Sequence, residues 1–79
     1  MERVEIRERI RKILITVLGH ESFEMKEDLT AKDVDGWDSL THMEIVTSIE
    51  KDFGVTFKLK ELNKLKNMGT LIDLVLSKL

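Results

Sequence analysis

Few residues of this chain can do chemistry, and most arrangements fail on spacing. There is no cysteine, which removes a thiol nucleophile, a redox pair, a zinc ribbon and a C2H2 finger. The two histidines, His20 and His42, stand 22 positions apart, with no spacing that sets ligands on one helical face. No metal site is expected. Asp33, Asp35 and Asp38 lie close together, but acids are so frequent here that closeness alone is weak support for paired-carboxylate catalysis. An EF-hand loop begun at Asp33 needs glycine at its sixth position and meets Asp38 instead. Ser39 and His42 are three apart on one helix, with no third group to orient a base. Nor does a 79-residue chain offer an evident pocket, so catalysis is not expected.

What remains is Ser39, immediately after Asp38. Gly36 supplies a flexible approach, Trp37 an anchor, and Asp38 a negative charge beside the hydroxyl. Leu40 and Met43 open an apolar stripe behind it. A phosphate esterified to Ser39 would sit among free backbone N–H groups at the positive end of a helix dipole. The position suits a phosphodiester. Taken alone, an Asp-Ser pair at a helix start is ordinary capping, so the surrounding elements must decide.

Those elements are helical. Ile6, Ile10, Ile13, Leu14, Val17 and Leu18 recur at helical spacing from about Val4 to Leu18, and Gly19 stops the run. From His20 to Asp38 the period is lost, and Phe23, Met25, Leu29, Val34 and Trp37 are scattered among charged residues. So long a connection is unusual in a compact domain, and its apolar residues imply that it is pinned across the bundle. A second helix starts at Asp38 as N-cap, carries Leu40, Met43, Val46, Ile49 and Phe53 as its stripe, and ends before Gly54. Val55–Phe57 reads as an extended connector, and Leu59, Leu62 and Leu65 as a short third helix. Thr70 is the expected cap of the last helix, with Asp73 three residues on, and Leu71, Leu74, Val75 and Leu79 as its buried stripe. The expected architecture is all-α: a small four-helix bundle of three main helices and a short third one, with a long first loop, forming one domain over residues 1–79.

Charge is unevenly distributed. The net charge is −2, yet residues 20–53 hold three basic and ten acidic side chains, a net −7 between two basic flanks. That block repels phosphate backbones and attracts basic surfaces, so nucleic-acid binding is not expected. Lys58, Lys60, Lys64 and Lys66 cluster around the short helix, confining any acidic docking surface to the second. The N-terminus is charged from Glu2 onward and no long apolar run follows, so neither a signal peptide nor a membrane span is expected. The expectation is a cytoplasmic monomer.

Asp38-Ser39-Leu40, followed by Glu44, Val46, Glu50 and Phe53, resembles the start of the recognition helix of acyl carrier proteins. The resemblance extends to length, helix count, long first loop and short third helix, and so covers the whole chain. It implies that Ser39 receives a 4′-phosphopantetheine arm from coenzyme A through a phosphopantetheinyl transferase. It further implies that Asp38 helps dock that enzyme, and that Leu40 supports the helix start and meets its apolar surface. Glu44 matches an acid used for docking by acyl-loading and acyl-processing enzymes with basic surfaces, and Glu50 and Asp52 match acids further along the helix. The arm's thiol would hold an acyl group as a thioester, and the aliphatic interior could part to shelter it.

Two features depart from the fatty-acid-synthesis pattern. Thr41 and Lys51 stand where those carriers usually have acids, and Gly36-Trp37 resembles carriers of specialised polyketide or D-alanyl systems. A specialised carrier is the expectation. The alternatives are an aminoacyl or peptidyl carrier, and a helical interaction module whose Ser39 carries nothing.

Overall fold

The computed structural model describes residues 1–79 and contains four α-helices and no strand. Helix α1 spans Arg3–Leu18, α2 Ser39–Phe53, α3 Leu59–Leu62 and α4 Met68–Lys78; a 3-10 turn at Ala31–Asp33 interrupts the long first loop. α1 packs against both α2 and α4. The core follows the helical period: Ile6, Ile10 and Leu14 of α1 meet Ile45, Val46 and Ile49 of α2 and Met68, Leu71, Ile72 and Val75 of α4. α1 ends at Gly19 and α2 at Gly54, both in the left-handed region.

The first loop is pinned as its apolar residues imply. Leu29 and Val34 are buried, while Phe23, Met25 and Trp37 are half-buried against the core. Its backbone also completes α4. Met68 N–H donates to the Leu29 carbonyl and Gly69 N–H to that of Glu27, each at 2.8 Å, so the loop satisfies two N–H groups that a helix start leaves free. Arg3 adds ion pairs to Glu27 and Asp73, joining α1, the loop and α4. His20 closes the loop's base, its Nε2–H donating to the Asp35 carbonyl at 2.7 Å and its Nδ1 accepting from Ser22 N–H at 3.0 Å.

Several expected positions move. The N-cap of α4 is Asn67, three residues before Thr70: the Asn67 carboxamide accepts from Thr70 N–H, and Thr70 Oγ1 accepts from Asn67 N–H, both at 3.0 Å. Asp73 is therefore no capping partner and pairs with Arg3 instead. α3 is only four residues long, with Leu59 exposed on it and Leu65 beyond it, half-buried in the connector to α4. Leu79 is exposed at the chain end, and Leu74 is half-buried. Leu40 and Met43 leave the expected buried stripe of α2 altogether, 79% and 56% exposed. The apolar period continues through them, but the fold leaves that first turn uncovered.

Candidate functional site

Ser39 is the first residue of α2 and is exposed. Its position is fixed by the turn before it. Gly36 adopts φ +84°, a conformation that side-chain-bearing residues rarely reach, and its carbonyl accepts a 2.6 Å hydrogen bond from Thr41 Oγ1. Thr41 Oγ1 in turn accepts from Asp38 N–H at 2.8 Å, while Asp38 Oδ1 accepts from the N–H groups of Leu40 and Thr41, each at 3.0 Å. This is a capping box with threonine in the place usually held by Glu or Gln. The N–H of Thr41, then that of Leu40, hold the Asp38 carboxyl below the usual carboxylate range, because they donate to its ionised form.

That geometry corrects one expectation. The Asp38 side chain takes the N–H of Leu40 and Thr41, and its carbonyl takes that of His42 at 2.8 Å. A phosphate on Ser39 would therefore meet an occupied cap rather than a row of free N–H groups. The Ser39 hydroxyl itself joins none of the cap bonds, so it is rigidly placed and chemically free.

One space adjoins it, and a second shares part of that lining. An open groove is bounded by Ser39, Asp38, Met43, Ala31, Trp37 and His42. A smaller cavity of about 80 Å³ lies inward, under the first loop and the α3–α4 connector, among Leu29, Leu65, Met68 and Leu71, with Lys66 and Asn67 on its wall. Ala31, Trp37 and His42 line both. The broad cleft between α1 and α2, by Arg9, Lys12, Ser48 and Lys51, is a different feature. Ser48 lies about 13 Å along the helix from Ser39 by helical rise.

The remaining site residues separate. Glu44 is exposed on the outer side of α2, in the same turns as Leu40 and Met43. Glu50 turns inward, its carboxylate accepting from Phe57 N–H at 2.8 Å. Asp52 faces α1, its carboxylate paired to Arg9 Nε at 2.9 Å and its carbonyl to the same guanidinium at 2.7 Å. Arg9 also lies over the Phe53 ring, 4.3 Å from its centroid. Sequence reading missed Thr41 as the staple of the cap and the contact of Trp37 with His42. The signal for Thr41 was its place three residues after Asp38, the third position of a capping box.

Residues 8–75 match the family described as phosphopantetheine attachment site. The chain belongs to the acyl carrier protein family. It is 30% identical over 76 residues to the acyl carrier protein of Saccharopolyspora erythraea, covering 96% of this chain and 80% of that one. To the acyl carrier protein of Petrotoga mobilis it is 29% identical over 79 residues, covering all of this chain and 93% of the relative. The solution NMR structure of the holo acyl carrier protein from Geobacter metallireducens superposes with a TM-score of 0.85 at 38% identity, over 92% of this chain and 84% of that one. An acyl carrier protein is a carrier and not a catalyst, and its cofactor is covalent 4′-phosphopantetheine. An exposed hydroxyl on a rigid helix start, bordered by an open groove, fits such a group. No helix is long and apolar enough to cross a membrane.

Proposed function

We propose that Ser39 is the attachment residue and that the chain serves a dedicated biosynthetic pathway in the cytoplasm as a monomer. The observation that carries this reading is the Ser39 hydroxyl: exposed, unengaged by the cap, and held one residue past Asp38 inside the matched family region. A phosphopantetheinyl transferase would join the Ser39 oxygen to the phosphate of the arm, the oxygen losing its proton and the nucleotide part of coenzyme A departing. Once attached, the arm supplies a thiol, absent from a chain without cysteine, on which an acyl group is held as a thioester. Its tether raises the load's effective concentration at each docked enzyme.

The chain's own residues position and present. Asp38 and Thr41 fix the helix start, and their hydrogen bonds leave Ser39 free to react. Leu40 and Met43 offer an apolar contact, and Glu44 beside them an acid for a basic partner surface. Glu50 and Asp52 would contribute less to docking, since their carboxylates already serve hydrogen bonds within the fold. Thr41 and Lys51 weaken the acidic face on which a general fatty-acid carrier relies, which favours a specialised pathway of fatty-acid or polyketide type.

The test is intact-mass measurement after incubation with coenzyme A, magnesium and a broad-specificity transferase. One phosphopantetheine group should be gained by the wild type and none by Ser39→Ala. No gain under conditions that load a control carrier would overturn the assignment.

A further inference from the structure

We propose that His42 holds the phosphodiester of the arm through its Nε2–H, and that Trp37 positions His42 for this by fixing which imidazole nitrogen carries the proton. The proposal rests on Ser39 being the attachment residue. A phosphodiester is an anion, and the start of α2 has little left to offer it. Asp38 Oδ1 takes the N–H groups of Leu40 and Thr41, and the Asp38 carbonyl takes that of His42. The Asp38 carboxylate next to Ser39 also repels negative charge. A side-chain donor is wanted there.

The groove beside Ser39 holds one. Its walls are Ala31, Trp37, Asp38, Ser39, His42 and Met43, of which only Trp37 and His42, apart from Ser39 itself, carry a side-chain donor at neutral pH. Trp37 has spent its own: Nε1–H donates to His42 Nδ1 at 3.1 Å, the two rings lying at 25° with centroids 6.2 Å apart. An indole nitrogen only donates, so Nδ1 is the bare nitrogen of the imidazole and Nε2 the protonated one. No hydrogen bond of the fold uses that Nε2–H. His20 makes the contrast. Its Nδ1 likewise accepts, from Ser22 N–H, but its Nε2–H is spent on the Asp35 carbonyl at 2.7 Å.

Helical geometry sets the direction of the contact. Ser39 and His42 are three residues apart, neighbours on one face with Cβ atoms about 5–6 Å apart. At about 100° per residue, His42 lies about 60° to one side of Ser39, while Leu40 lies about 100° and Glu44 about 140° to the other. A charge-assisted bond from Nε2–H to a phosphodiester oxygen draws the base of the arm toward the first loop. It leaves the face of Leu40 and Glu44 uncovered for a docking enzyme. His42 touches the cofactor, and Trp37 acts through His42.

The test uses the full-length chain, apo and holo, with isotope-labelled imidazole nitrogens and the holo form verified by intact mass. In the apo chain at mildly alkaline pH, NMR should show His42 as a single tautomer, protonated at Nε2. Conversion to the holo form should shift His42 Nε2 and leave His20 Nε2 where it was. An unmoved His42 Nε2 overturns the contact, and this arm needs no variant to fold. The single phosphorus resonance of the holo chain should move in His42→Leu. His42→Gln, whose carboxamide offers an N–H at similar reach, should hold it nearer the wild-type position. No movement in His42→Leu, or the reverse order of the two variants, overturns the donor role. In apo Trp37→Phe both tautomers of His42 should be populated; a tautomer still fixed at Nε2 removes Trp37 from the proposal. Absence of any mass gain overturns the attachment reading instead, and with it the group that His42 would hold.

Discussion

The two halves of α2 share one helical period and meet different surroundings. The first half presents Ser39, Leu40, Met43 and Glu44 outward; its start is fixed by the cap at Asp38, and only at its end do Ile45 and Val46 enter the core. In the second half Ile49 is fully buried, Glu50 holds the Phe57 N–H and Asp52 holds Arg9. Leu40 and Ile49 make the contrast plain, at 79% and 0% exposure. An apolar residue kept in water on a rigid helix costs solubility without adding to the core. On the proposed reading, the second half fixes the helix and the first is the part that partners meet.

Exchanging residues between the halves should separate the two roles most strongly in the core. Ile49→Ala is expected to lower unfolding stability by about 2–5 kcal/mol, through lost burial and a cavity. Leu40→Ala should change it by no more than about 0.5 kcal/mol and yet slow loading by the transferase. Urea unfolding and initial loading rates measure both. A Leu40→Ala variant destabilised like Ile49→Ala would mean that both halves are structural.

The cap comes next in size. Asp38→Ala should cost about 1 kcal/mol, the usual worth of a lost N-cap. The effect has a defined pH sign. The Asp38 carboxyl lies below its usual range in the folded chain, so its stabilisation is complete above the ordinary carboxylate range, about pH 4, and fades as pH falls through the native value. Asp33, held down by Thr30, and Glu61, held down by Lys78 and the Lys58 N–H, act in the same direction. Chemical unfolding of wild type and Asp38→Ala at several pH values should show their difference shrinking below about pH 4. A difference that grew on acidification would show that the cap is not what holds the carboxyl ionised.

Much of this arrangement can be read from spacing and much cannot, for physical reasons. The α1 stripe, the α2 stripe from Val46 onward, the Asp38 cap and the stops at Gly19 and Gly54 follow from periodicity and turn chemistry, and the burial of Leu29 and Val34 from their being apolar in a loop of charged residues. Periodicity reports which residues share a face but not whether another helix lies opposite, so Leu40, Met43, Leu59 and Leu79 look internal and are exposed. The start of α4 is ambiguous because Asn67 and Thr70 are both good caps three positions apart, and only the reciprocal bonds distinguish them. Trp37 and His42 straddle a helix boundary, where no fixed period applies. Their contact depends on the loop's path and on which imidazole nitrogen holds the proton.

A smaller stability effect distinguishes the acids of the two halves. Asp52→Asn should cost no more than about 1 kcal/mol, since its pair with Arg9 is partly exposed, and should leave loading rates unchanged.

Glu44→Lys should do the reverse, leaving stability within about 0.5 kcal/mol while slowing loading. Glu44 lies in the turns that carry Leu40 and Met43 and makes no ion pair within the chain, so its charge acts on whatever approaches. Glu8→Lys on α1 is the matched control, also exposed and reversed in sign in the same way. Because exposed charges steer encounter and are screened over about 10 Å at 0.1 M salt, the gap between the two variants should narrow as salt rises. Equal slowing by Glu8→Lys would show that partners sense net charge rather than the first half of α2. A gap insensitive to salt would place Glu44 in a desolvated contact, a tighter kind of docking than an exposed acid on an open helix face can provide.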